Sequence, residues 1–205
     1  MFFDPTKRTY KKFHGHLPHW HQDEKIQFVT FRLVDSISYT KRQELLSLVE
    51  EYTQTHPKPW NADTKKEFNR YIGPMFERYL HNGFGCCALS RPDCRDILKE
   101  ALWHGDGIDY LLYAYVIMPN HVHILIQPLD DQKLEKIMQS IKRYSSFSIN
   151  KLLARSGPLW MRESFDRIVR SENDYWDKVT YIETNPANLK EGTFEVFVRP
   201  VDFDD

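Results

Sequence analysis

The chain has 205 residues, of which 41% are hydrophobic and 28% charged, enough for one sizeable core or one core with an elaboration. No apolar run approaches the ~18–20 residues that span a bilayer and the N-terminus lacks a signal-peptide pattern, so a cytoplasmic protein without a membrane partner is expected. A formal net charge of −1 excludes binding to nucleic acid through bulk electrostatics alone.

In chain order, "KIQFVTFRLV" (Lys25–Val34) is rich in β-branched and aromatic residues and reads as a strand. Thr40 opens a run in which Leu45, Leu46, Leu48 and Val49 suit a helix, and the prolines of "HPKPWNAD" end it. A second helical run, "TKKEFNRYIGPMFERYLHN", is expected to be interrupted at Pro74. "GFGCCAL" reads as a short extended piece. Its Cys86 and Cys87, with Cys94, form neither a CxxC pair nor an even framework and read as reduced thiols. Asp93 to Trp103 predicts a helix closed by "HGDG".

"YLLYAYVIM" and "HVHILIQP" are apolar strands separated by "PN", a tight-turn dipeptide, and predict a hairpin. Leu134, Ile137, Met138, Ile141 and Tyr144, at spacings of three and four, predict an amphipathic helix. "RESFDRIVR" reads as a short strand. Ser171 and Asp174 then match a capping box in form and open a last helix, which Pro186 stops near Asn185. This order of elements predicts an antiparallel α+β sandwich with helices on one face.

Charge is unevenly spread. Between Ile141 and Arg170 stand Lys142, Arg143, Lys151, Arg155, Arg162, Arg167 and Arg170 against Glu163 and Asp166 alone. A basic strip on a near-neutral chain suits a partner that presents phosphates at one place. Trp160 beside Arg162, Arg167 and Arg170 suits phosphates and unpaired bases, with Arg–acid pairs to Glu163 and Asp166 as the competing use of the arginines.

The motif that carries chemistry is His121-Val122-His123. Residues i and i+2 of a strand share a face, so the imidazoles lie side by side while Val122 and Ile124 point to the other side. Two close imidazoles are costly as unpartnered neutral groups and useful as ligands of one divalent ion. Histidine-triad hydrolases and metallo-β-lactamase-like hydrolases need a further His or Asp where this chain has Leu125, and too few residues follow His123 for an amidohydrolase barrel. On the last helix Tyr181 and Asn185 are i and i+4 and project from one face. The amide oxygen of Asn185 is the candidate third ligand of a His-His-Asn site for Mg²⁺ or Mn²⁺.

"MPNHVHILI" followed by "YIETNPANL" resembles the REP-associated tyrosine transposases, relatives of the single-tyrosine HUH transposases of insertion sequences. "LPHW" at 17–20, "FVTFRL" at 28–33 and "GPLWMRESFDRIVR" at 157–170 carry the resemblance over nearly the whole chain. The resemblance implies one domain over residues 1–205 with a ferredoxin-like antiparallel sheet, helices packed on it and the HUH histidines on a central strand. It matches His121 and His123 to the metal pair and Tyr181 to the nucleophile; Asn185 stands where those relatives carry a glutamine ligand. It also marks about 40–83 as a helical insertion beyond the compact core of the relatives. Both a homodimer sharing helices and a monomer that completes its own site are compatible with it.

The resulting expectation is a metal-dependent single-strand DNA endonuclease and strand transferase. It would act on palindromic hairpin DNA through a 5′-phosphotyrosine at Tyr181, with His121, His123 and Asn185 at the metal and Lys142, Arg143, Trp160, Arg162, Arg167 and Arg170 on DNA. The alternative is a transposase-derived protein that binds hairpins without cutting. Tyr144, beside Lys142 and Arg143, is the next candidate nucleophile, and Tyr175 and Trp176 read as packing residues. The N-terminal histidines His14, His16, His19 and His21 read as part of the fold rather than a second metal site.

Overall fold

The computed structural model describes residues 1–6, 10–14, 17–22 and 24–203. A short hairpin, β1 (Tyr10–His14) and β2 (Leu17–His21), precedes the main sheet. That sheet has five strands, all antiparallel to their neighbours: β3 (Gln27–Arg32), β4 (Tyr110–Ile117), β5 (His121–Pro128), β6 (Phe165–Ile168) and β7 (Glu195–Val198). Their spatial order is β6-β3-β5-β4-β7, which makes β5 the central strand. Without β7 this is the split β-α-β-β-α-β arrangement of ferredoxin-like folds.

The helices are α1 (Tyr39–Thr55), α2 (Ala62–His81), α3 (Pro92–Trp103), α4 (Leu134–Leu152) and α5 (Glu172–Thr184). They cover both faces of the sheet instead of the one expected. Leu98 and Leu102 of α3 and Ile137, Met138 and Ile141 of α4 pack with Val122, Ile124 and Ile126 of β5. Tyr175, Val179 and Ile182 of α5 pack on the opposite side with Leu125, Ala114, Val116 and Phe28. The reason lies in the strands. β4 and β5 are apolar on both faces, and such strands are stable only when both faces are covered.

Other local differences have local causes. α2 runs through Pro74 as one helix; a single proline removes one backbone donor, and the helix continues on either side. "GFGCCAL" forms a loop ending in a 3₁₀ turn, Ala88–Ser90, not an extended piece. The apolar stripe of α4 leaves Tyr144 exposed and continues through buried Ser145 and Ile149. All three cysteines are free thiols. Among the described residues no helix is long and apolar enough to cross a membrane.

Candidate functional site

Strand β5 has both ends of its chemistry set by register. His121 and His123 face the α5 side, and their ring centroids are 4.9 Å apart. Both are buried, at 1% and 0% exposure. Thr30 is the cross-strand partner of His123, and its hydroxyl lies 2.8 Å from Nδ1 of that ring. Phe28 stacks on the His123 ring at 5.5 Å.

Asn120, read from the sequence only as a turn residue, fixes the neighbouring ring. Its amide nitrogen donates to the carbonyls of Leu80 (3.1 Å) and Phe84 (3.2 Å). The amide oxygen is therefore turned toward His121 Nδ1, 2.8 Å away, and an amide oxygen only accepts. His121 thus carries its proton on Nδ1 and presents the lone pair of Nε2. That is how a partner of a metal-binding imidazole sets the tautomer. The Nε2 atoms of both His121 and His123 are buried without a hydrogen-bond partner. Burial drives both rings toward the neutral form, lowering His123 to about 3 and His121 well below the usual imidazole range. Two neutral rings side by side, each with a buried Nε2 that has no hydrogen-bond partner, fit a divalent ion.

Helix α5 brings Tyr181 into this group. The helix starts where Ser171 accepts from the Asp174 backbone N–H, and it ends with Asn185 N–H donating to the Tyr181 carbonyl. The Tyr181 ring stands edge-on to His123 at 5.2 Å and to Phe28 at 5.8 Å. Lys178, one turn earlier, has its ammonium 5.3 Å from the Phe28 ring centre and 6.0 Å from that of Tyr181.

Helix α2, from the 40–83 stretch, closes the site. The Tyr181 hydroxyl donates to Oε2 of Glu77 at 2.9 Å. The same oxygen is 3.8 Å from His123 Nε2. His81, one turn after Glu77, places Nε2 2.9 Å from Oδ1 of Asn185, and its ring is 5.7 Å from that of His121. The amide oxygen of Asn185 is thus engaged by His81. Burial, with the Glu77 carboxylate second, raises the Tyr181 phenol far above its ordinary range, and burial raises Glu77 as well. Neither Glu77 nor His81 carried a signal in the sequence beyond i,i+4 spacing within a helix.

The basic strip divides between the faces. Lys142, Arg143, Trp160 and Arg162 line a cavity on the α4 side, away from the histidines. Lys142 donates to the carbonyl of Met161 and the hydroxyl of Ser164, and burial lowers it to about 8. Trp160 is buried and its indole donates to Ser145, so its ring offers no open face for a base. Arg167, on β6, pairs with Asp174 of α5, while Arg143, Arg162 and Arg170 are exposed. The Tyr144 hydroxyl donates to Glu100, far in the fold from the histidines, which the α4 side does not share. Tyr175 is buried as expected of a packing residue, whereas Trp176 is 41% exposed. The side chains of His14, His16, His19 and His21 lie outside the described residues.

No curated protein matches the sequence. A solved structure described as that of a REP-associated tyrosine transposase bound to a REP hairpin is similar at 14% identity and a TM-score of 0.42, covering 85% of this chain and 73% of the other. Residues 91–185 match the family model described as "Transposase IS200 like". That segment holds the histidine pair, Tyr181 and Asn185, and through it the chain is similar to the IS200-like transposases.

Proposed function

We propose that this protein is a metal-dependent single-strand DNA endonuclease and strand transferase that acts on palindromic hairpin DNA through Tyr181. The observation that carries the reading is the Tyr181 ring packed 5.2 Å from His123, within a pair of imidazoles whose inward nitrogens have no partner. His121 and His123 would hold Mg²⁺ or Mn²⁺ from the β5 side, with Asn185 beside them at the end of α5, its amide oxygen on His81. A divalent ion held there would supply Lewis-acid polarisation of the scissile phosphate and offset charge on its oxygens.

Tyr181 attacks phosphorus. The bond from its oxygen to phosphorus forms and the P–O3′ bond breaks; the phenolic proton passes to the Glu77 carboxylate that accepts it, and the leaving O3′ takes a proton from water, which leaves a 5′-phosphotyrosine and a DNA 3′-hydroxyl. Because the phosphodiester energy is kept in the tyrosine link, the 3′-hydroxyl of a second strand can reverse the step and join. Lys178, half-buried beside the Tyr181 ring, supplies positive charge on the side from which the phosphate approaches. Arg143, Arg162 and Arg170 contact the backbone of the hairpin. Lys142, Trp160 and Arg167 support DNA binding from within, by holding the 157–170 segment in shape.

The test is incubation with labelled single-stranded hairpins and Mn²⁺, followed by a denaturing gel. Wild type should give a covalent protein–DNA band, and Tyr181→Phe should bind the hairpin yet give none. Absence of any adduct on any hairpin with Mg²⁺ or Mn²⁺ would leave the chain a hairpin-binding protein that does not cut.

A further inference from the structure

Glu77 and His81 sit one turn apart on α2, in a stretch that the cleavage reading leaves without a part. Together with His121, each brings one ligand atom to within 4.8 Å of the others. His123 joins from the same side, its Nε2 3.8 Å from Oε2 of Glu77. We propose that α2 supplies Glu77 and His81 as ligands to the divalent cation held by His121 and His123, so that the metal centre joins the sheet to the α1–α2 segment. The proposal rests on the metal-dependent reading of this same site and names its remaining ligands.

The hydrogen bonds around the imidazoles agree with this assignment. His81 Nε2 faces the amide oxygen of Asn185, which accepts, so the ring proton sits on Nε2 and the lone pair on Nδ1. Asn120 does the same for His121 with the nitrogens exchanged. Two asparagines from different elements thus each hold one imidazole in a single tautomer, the arrangement that orients metal-binding histidines. Asn185 acts here as a positioning residue for His81. Ligand atoms bound at ~2.0–2.2 Å to one ion stand roughly 3–3.6 Å apart, so separations within 4.8 Å need to shrink only modestly. The hydrogen bond from Tyr181 to Glu77 then ties the tyrosine directly to a metal ligand.

The donor set fixes the kind of ion. Three imidazoles and one carboxylate are a nitrogen-rich set, which Mn²⁺, Co²⁺ and Zn²⁺ accept more readily than Mg²⁺, a cation that prefers oxygen and keeps its water. The same metal should therefore bind without DNA.

The experiment titrates the full-length protein with Mn²⁺ alone and follows the free-ion signal by electron paramagnetic resonance. Wild type should take up Mn²⁺, with Mg²⁺ competing only in large excess. Glu77→Gln and His81→Ala should each weaken uptake about tenfold or more, and Arg162→Ala should not. If both α2 variants bind as wild type does while His121→Ala abolishes uptake, the role given to α2 is overturned and the metal-dependent reading stands. If wild type takes up no Mn²⁺, the metal-dependent reading falls and the α2 ligands fall with it. A measurement on the unmodified protein covers the case of variants that fold poorly. Added Zn²⁺ should shift the ¹⁵N resonances of the His81 ring together with those of His121 and His123, and an unmoved His81 overturns the proposal.

Discussion

The hydroxyl of Tyr181 donates to Glu77 at 2.9 Å, joining residues 104 positions apart in the chain. Burial and then the Glu77 charge hold the phenol in its protonated form. Replacing Glu77 by Gln removes the charge and keeps the shape, so the phenol should ionise at lower pH. The check is a pH titration of tyrosine labelled at Cζ, in EDTA, with Tyr181→Phe assigning the resonance. A Tyr181 titration unchanged by Glu77→Gln would show that the carboxylate does not act on it.

Stability should fall on acidification, and the sign follows from the imidazoles. Unfolded histidine titrates near 6.5. In the fold His123 is lowered to about 3 and His121 well below 6.5, both mainly by burial. The unfolded chain therefore binds more protons, and the stability these groups contribute is present above about pH 6.5 and lost as pH falls toward their folded values. The loss is at most about 1.4 kcal/mol per pH unit for each ring. Glu77 is raised, again by burial, so its stabilising contribution is present at low pH and lost as pH rises through its folded value, which offsets part of the slope. Urea midpoints in EDTA at pH 7, 6 and 5 should decline for wild type, and less for a His121→Gln, His123→Gln double variant. A flat wild-type series would contradict the burial of the pair.

Asn120→Ala should cost about 2–4 kcal/mol, because it strips partners from the His121 ring and from the carbonyls of Leu80 and Phe84 at once. Urea unfolding measures the loss. The ¹⁵N spectrum of His121 should in parallel change from one tautomer to a mixture. A cost below about 0.5 kcal/mol, within the range of an ordinary surface change, would mean that the amide does not hold the two parts together.

Lys142 and Arg162 should separate scaffold from contact. Lys142 donates to the Met161 carbonyl and to Ser164, so Lys142→Ala should destabilise by about 1–3 kcal/mol. Arg162 is exposed, so Arg162→Ala should leave stability within about 0.5 kcal/mol. It should also weaken hairpin binding and lower the slope of log affinity against log salt by roughly one. An unchanged salt slope for Arg162→Ala, Arg143→Ala and Arg170→Ala alike would put the exposed strip in solvent rather than on DNA.

What could be read in the sequence was what lies close together in it. The β4–β5 hairpin follows from two apolar runs around "PN", and the shared face of His121 and His123 from the two-residue period of a strand. The start of α5 at Ser171 follows from a side chain that satisfies a backbone N–H three residues on. The parts that escaped depend on distance along the chain. Glu77 and His81 look like ordinary polar residues of a helix until α2 is laid against α5, and no local period says where α2 will lie. β7 is a short strand at the edge of the sheet with no fully buried residue, so it lacks the apolar run that marks β4. Trp160 illustrates the opposite error: an aromatic among arginines suggests a stacking surface, yet its indole is spent on Ser145 inside the fold.

Asn120 has one amide with two sides, one facing the backbone after α2 and the other the His121 ring. If the end of α2 swings away to admit a DNA strand, the amide either follows it and leaves the ring or stays and leaves the two carbonyls. In the first case the proton of His121 becomes free to change nitrogens; in the second the tautomer is kept and the opening costs two hydrogen bonds. Either way one amide couples the position of the end of α2 to the His121 ring: its displacement would cost the ring its fixed proton or the two carbonyls their donor.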